Sequence, residues 1–127
     1  MRTIISTDQA PKAVGPYSQA VKAGGFVFCS GQIAIDPVTQ EVISGGVQEQ
    51  THRVMDNLQA VLEAAGSSLD QAVKVTIYLT NMDDFGVVNE VYGSYFADEP
   101  PARETVEVSR LPKGVSIEIS VIAELEE

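Results

Sequence analysis

Residues 100–120 read P-P-A-R-E-T-V-E-V-S-R-L-P-K-G-V-S-I-E-I-S. Two strand-like runs flank L-P-K-G, and each carries a charge where a covered strand rewards β-branched and aromatic residues. Arg103 opens the first run, and Glu118 sits between Ile117 and Ile119. Alternation assigns the faces. Arg103, Thr105, Glu107 and Ser109 share one side of their strand. Glu118 shares a side with Ser116 and Ser120, which leaves Ile117, Ile119 and Val121 for a helix-covered side. On this reading Arg103 and Glu118 both project from the sheet face that helices leave open. Were L-P-K-G a simple hairpin loop, Glu107 would face Glu118, and the two charges would lie ~13 Å apart along the strands at ~3.3 Å per residue. That is too far for one small ligand. Strands that do not pair directly, or a site shared by two subunits, would lift the limit. The plain alternative is that both charges are solvated strand residues. Glu118, enclosed by isoleucines, fits that alternative less easily than Arg103 does.

Upstream of this stretch, Ala72 to Leu79 alternates, with Val73, Val75, Ile77 and Leu79 on one side and Lys74, Thr76 and Tyr78 on the other, as in a strand with a greasy and a mixed face. From Val47 to Ala65, apolar residues at Val47, Val54, Leu58, Val61, Leu62 and Ala65 mark one face of an amphipathic helix that Gly66 ends. Asn81 to Asp84 offers caps for a second helix, in which Phe85, Val88, Tyr92, Tyr95 and Phe96 follow helical spacing up to Asp98-Glu99-Pro100-Pro101. Gly24-Gly25, between strand-like runs at Gln19–Lys22 and Phe26–Ser30, predicts a hairpin with a primed turn. Ile35 to Gln40 reads as a turn, with Pro37 presetting φ. The order is an N-terminal hairpin followed by β-α-β-α-β-β: an α+β domain spanning 1–127, with two helices on one face of a sheet. Nothing remains in the chain to cover the other face, which points to an oligomer.

The bulk properties restrict the function. The chain has 127 residues, is 44% hydrophobic, and carries 18 acids against 8 bases for a net charge of −10. Such a surface is unsuited to nucleic acid or an anionic membrane. No apolar run approaches a membrane span, and the N-terminus lacks the apolar region of a secretory signal. Cys29 is the only cysteine, so no intrachain disulfide is possible and a cytoplasmic setting is expected. Alternation makes Cys29 a small core residue. His52, the only histidine, falls near the polar side of the first helix, so no metal cluster is expected. No zinc, P-loop or dinucleotide-binding motif occurs.

Five stretches together carry a specific resemblance: A-V-G-P-Y-S-Q-A at 13–20, S-G-Q-I at 30–33, V-N-E-V-Y at 88–92, P-A-R at 101–103 and S-R-L-P-K-G-V-S-I-E-I at 109–119. In this order and spacing the chain resembles the YjgF/RidA family over essentially its whole length. The resemblance implies a chorismate-mutase-like fold and a homotrimer with ligand clefts between subunits. It implies hydrolysis of reactive imines and enamines, typically 2-iminopropanoate and 2-aminoacrylate, to a 2-keto acid and ammonia, with no cofactor. Carried over by position, Arg103 would clamp the substrate carboxylate through its planar fork. Glu118 would position or activate the attacking water and return a proton to nitrogen. Tyr17 and Ser30 match the hydroxyl positions of the cleft, Gly31 permits close approach, and Phe85, Asn89 and Thr105 match substrate-binding positions.

Two departures stand out. Many relatives carry cysteine where this chain has Thr105, so no thiol nucleophile is expected. Glu104 replaces a small residue after the arginine, with its side chain expected to point away from the Arg103 face. Three other functions compete. One is a regulatory module that binds small carboxylates without turnover. Another is chorismate mutase, which must hold a dicarboxylate although the pattern puts one arginine at the cleft. The third is ribonuclease activity, against which the charge weighs.

Overall fold

The computed structural model describes residues 1–126. Six strands form one sheet: β1 (Thr3–Ile5), β2 (Ala20–Ala23), β3 (Phe26–Gln32), β4 (Ala72–Leu79), β5 (Ala102–Glu107) and β6 (Ile117–Glu124). Their order across the sheet is β1-β2-β3-β6-β4-β5. Every pairing is antiparallel except β4 with β5. Helices α1 (Val47–Ala64) and α2 (Phe85–Gly93) pack together, with α1 lying on β3 and β6.

The expected α+β architecture is present. Gly24 and Gly25 adopt φ of 60° and 84°, the left-handed pair that a two-residue primed turn requires between β2 and β3. The second arm of that hairpin, β3, is itself the first strand of the β-α-β-α-β-β series. Between it and α1 the chain makes only an isolated bridge from Ile35 to Val42. There the Asp36 carboxylate accepts from Val38 N at 2.7 Å and closes the expected turn. Strand β1 was not legible in the sequence, because three residues are too few to show alternation. Tyr95 and Phe96 lie beyond α2, which ends at Gly93, so their spacing reflects packing of the following turn rather than helix.

The largest departure concerns the end of the chain. L-P-K-G does not join a hairpin. β4 lies between β5 and β6, and the connection from 108 to 116 crosses its end. Val75, Ile77 and Leu79 of β4 are buried with Ile117, Ile119 and Val121 of β6 against α1, which includes Val54, Leu58, Val61 and Leu62 in the same core. The opposite sheet face carries Lys74, Thr76, Tyr78 and Glu118, as expected, but it is also greasier than expected. Register aligns Ile4, Val21, Phe28 and Ile122 in one row across four strands. Of these, Ile4 is 52% and Phe28 44% exposed.

Cys29 is a core residue, and burial pushes its thiol up to about 12. Native protein should therefore resist aromatic disulfide reagents near neutral pH and titrate as one thiol in denaturant. Cys29→Ala should lose about 1 kcal/mol in urea unfolding. Rapid labelling of folded protein would contradict the buried placement.

Candidate active site

The structure assembles the predicted residues into two clusters. The first surrounds Glu118. In β3, Cys29 pairs with Val121 and Gln32 with Ile119, so Ser30 and Gly31 together oppose Ser120. This bulge inserts one residue and re-aims the backbone. It seats Gly31 directly against Glu118: a Cβ at position 31 would stand 2.8 Å from the Glu118 carboxyl carbon. Any side chain at position 31 would have to displace that carboxyl. Glu118 is half-buried and makes no hydrogen bond or ion pair among the described residues. Burial raises its pKa above the ordinary glutamate value. A groove of about 720 Å³ opens beside it, lined by Tyr17, Ser30, Gly31, Val14 and Lys113. The Ser30 hydroxyl donates to Ser18 O at 2.6 Å, so its proton fastens the loop that carries Tyr17. Tyr17 itself is 53% exposed at the groove.

Three buried amides, none singled out from the sequence, hold the segments around this groove. Gln19 accepts from Thr7 N at 2.7 Å and donates to Pro11 O at 2.7 Å, fastening the 7–11 segment. Asn57 on α1 donates to Ile33 O and Ile35 O at 3.3 and 3.0 Å. Gln50 on α1 accepts from Ser116 N at 2.9 Å, just before β6 begins. The available signal was their placement: Gln50 and Asn57 fall among the apolar positions of an amphipathic helix, where an amide survives only if it is fully paired.

The second cluster surrounds Arg103. Phe85, Asn89 and Tyr92 occupy one face of α2 at i, i+4 and i+7. Arg103 Nη1 donates to Asn89 Oδ1 at 2.7 Å. Its guanidinium carbon lies 5.5 Å from the Phe85 ring centre and 5.0 Å from that of Tyr92. Thr105, two residues along the same side of β5, buries a hydroxyl with no hydrogen-bond partner. Glu104 points the other way, to Thr76 Oγ1 at 2.9 Å and Lys74 Nζ at 3.2 Å, as expected.

The shared-face expectation fails. Arg103 stands beside Val75 of β4, and Val75 is core, so Arg103 faces the helix side. Glu118 stands beside Tyr78, on the open side. The two charges therefore occupy opposite faces, about 10 Å apart along the sheet and about 10 Å across it. Alternation within β5 is ambiguous, because Arg-Thr-Glu and Ala-Glu-Val are equally poor core faces. Only pairing with β4 decides between them. Tyr17, Ser30, Gly31 and Glu118 meet within one chain, as do Phe85, Asn89, Arg103 and Thr105. The two groups do not meet each other. His52 lies apart, with Nδ1 3.0 Å from the Tyr95 hydroxyl. Among the described residues, no three His, Cys, Asp or Glu side chains converge as a metal would require, and no helix is long and apolar enough to cross a membrane.

The chain is thus a six-stranded α+β sheet with an acid in an open-face groove and an arginine on the helix side. Residues 7–125 match the family described as Endoribonuclease L-PSP, and the chain belongs to it, the YjgF/RidA family. A RutC family protein of Pyrococcus horikoshii is 56% identical, with 97% of this chain and 98% of that protein covered. The 2-iminobutanoate/2-iminopropanoate deaminase of Mus musculus is 44% identical over 97% of this chain and 91% of that protein. The crystal structure of RidA from an Antarctic Psychrobacter superposes with a TM-score of 0.93 at 46% identity, covering 97% of this chain and 99% of that one.

Two predictions follow from Glu118. A carboxyl whose pKa is raised by folding favours the fold while protonated, and that advantage is lost as pH rises through the raised value. The stability difference between Glu118→Gln and wild type should therefore move in the variant's favour between about pH 4 and pH 7. Urea unfolding at both values checks this, and a constant difference would contradict it. Gly31→Ala should expel the carboxyl from its niche into water. An NMR titration should then place the Glu118 pKa closer to the ordinary glutamate value than in wild type.

Proposed function

We propose that this protein hydrolyses 2-imino acids and their enamine tautomers to 2-keto acids and ammonia, at sites that two copies of the chain complete together within a homotrimer. The observation that carries this reading is the state of Glu118: a half-buried carboxyl, free of protein partners, seated on a glycine in a groove. A structural glutamate in a sheet face would be paired. One with a raised pKa and an open side is suited to exchange protons with a ligand. The mouse relative's name supports the same chemistry.

The residues divide the work by their chemistry. Arg103 holds the substrate carboxylate through its free N–H groups, with Asn89 fixing the fork. Ionised Glu118 takes a proton from water as the water oxygen bonds to the carbon of the protonated imine, giving a neutral tetrahedral aminoalcohol. It returns that proton to nitrogen and then takes the hydroxyl proton as the C–N bond breaks and the keto C=O forms; this proton passes to the departing ammonia, so the 2-keto acid and ammonium leave. Tyr17 and the Ser30–Gly31 bulge bound the reacting groups, and Thr105 lies beside the clamp. No thiol takes part. Because Arg103 and Glu118 face opposite sides of one sheet, the site needs Arg103 from one copy and Glu118 from its neighbour. The exposed row through Ile4 and Phe28 gives the open face an apolar area to bury in such an assembly. A cytoplasmic setting suits a chain whose one cysteine is a buried free thiol.

A module that binds small carboxylates without turnover would use the same Arg103 clamp. Keto-acid release from enzymatically generated 2-iminopropanoate separates the two readings. The family's endoribonuclease description finds little support in a chain of charge −10.

Steady-state deamination, corrected for the protein-free reaction, should show Glu118→Gln losing ~10²–10⁴-fold in kcat. Calorimetric binding of pyruvate should change little in that variant. The wild-type rate should fall as pH drops through the raised Glu118 value, because the base form is lost, and this acid limb should vanish in Glu118→Gln. Arg103→Ala should raise KM, lower kcat and weaken pyruvate binding. Arg103→Lys should restore little, because it lacks the fork. Normal turnover by Glu118→Gln would sink the proposed mechanism.

A further inference from the structure

Among the described residues, no carboxylate lies within 4 Å of the Arg103 guanidinium. In a chain with 18 acids and 8 bases, a half-buried guanidinium would ordinarily acquire an acid, as Lys74 does with Glu104. The contacts of Arg103 among the described residues are with uncharged groups: the Asn89 side-chain oxygen and the faces of two aromatic rings. The closer ring belongs to Tyr92, which is 5% exposed. Its hydroxyl is buried and has no hydrogen-bond partner. That hydroxyl ties down nothing else within the chain. The ring is what meets Arg103.

We infer that Tyr92 is a positioning residue for the carboxylate clamp: its ring, together with that of Phe85 on the same face of α2, fixes the orientation of the Arg103 guanidinium while leaving its positive charge unneutralised for a ligand anion. The inference rests on the proposed role of Arg103 as that clamp. The physical reasoning concerns what each possible partner would do. A carboxylate beside Arg103 would orient the fork and also cancel its charge. An aromatic face orients a cation through its quadrupole and adds no net charge. Asn89 takes one donor through a neutral amide oxygen, so the remaining N–H groups stay available. The cradle thus prepays the orientation cost of a bidentate contact. No acid from the chain's large excess competes there with the substrate carboxylate.

The test is calorimetric titration of the intact protein with pyruvate, together with urea unfolding. Tyr92→Leu keeps bulk but removes the ring, and should weaken pyruvate binding about tenfold. Tyr92→Phe keeps the ring, so affinity should be largely restored, and stability should hold or rise as the unpartnered hydroxyl is removed. Asn89→Asp keeps shape and hydrogen bond but places a carboxylate on Arg103, and should abolish measurable binding although the fold is no less stable. A residue that merely fills space would not yield this split between stability and affinity. If Tyr92→Leu does not fold, Phe85→Leu, on the less buried ring, tests the same cradle and should also weaken binding. Wild-type affinity in the folded leucine variant, or an equal loss in Tyr92→Leu and Tyr92→Phe, would overturn the inference. Arg103→Ala serves as the control. If it binds pyruvate as tightly as wild type, the clamp reading itself fails. If it loses binding while the leucine variant does not, only the role of Tyr92 fails.

Discussion

The pairing of β4 with β5 on one edge and β6 on the other is the constraint on which the site depends. β4 lies between the two site-bearing strands and alternates from Val75 onward, with Val75, Ile77 and Leu79 buried and Thr76 and Tyr78 on the open side. A one-residue slip would carry all three apolar side chains out of the core. Burying each is worth about 1.5–3 kcal/mol, so the register is strongly held. Its neighbours inherit it. Val75 sets Arg103 on the helix side, and Tyr78 sets Glu118 on the open side. The separation of the two charges is therefore a consequence of core packing, and neither residue can change faces without dismantling the sheet.

Around that frame, polar groups do local work that apolar burial cannot. The Ser30–Gly31 bulge gives up regular pairing to seat a backbone against Glu118. Gln19, Gln50 and Asn57 each satisfy a buried amide by holding an irregular segment near the groove. A lost partner at such a position costs roughly 1–3 kcal/mol, so these contacts make the groove walls specific as well as stable. Glu118 is the exception in this neighbourhood: a half-buried carboxyl without a hydrogen-bond or ion-pair partner among the described residues.

Much of this was legible in the sequence, for identifiable reasons. α1, β4 and the Gly24-Gly25 turn each carry a strong local pattern, and the structure reproduces them except at Val73, expected on the greasy side but left exposed by a bulge at the start of β4. Glu118 stood out because isoleucines enclose it, and its placement on the open face was read correctly. The sequence pattern misplaces Arg103 because β5 is an edge strand with no clear apolar side, so its orientation comes from a partner 28 residues away in sequence, Val75. The hairpin suggested by L-P-K-G failed for the same reason: local turn chemistry cannot report that another strand lies between its two arms. Tyr92 was read only as part of an apolar stripe. Its second role, facing Arg103, depends on a contact between α2 and β5 that periodicity does not contain.

Arg103 and Glu118 lie on opposite faces of each chain, and the proposed mechanism requires the two from different copies. Complementation measures this directly. Arg103→Ala and Glu118→Gln proteins are mixed one to one, unfolded and refolded together, and assayed for 2-iminopropanoate hydrolysis beside each variant refolded alone. Random mixing makes about one interface in four with both wild-type partners. The mixture should therefore recover about a quarter of wild-type activity, while each variant alone stays near the uncatalysed rate. A mixture no more active than the average of the two variants would show that each site draws both residues from a single chain, and would contradict the account.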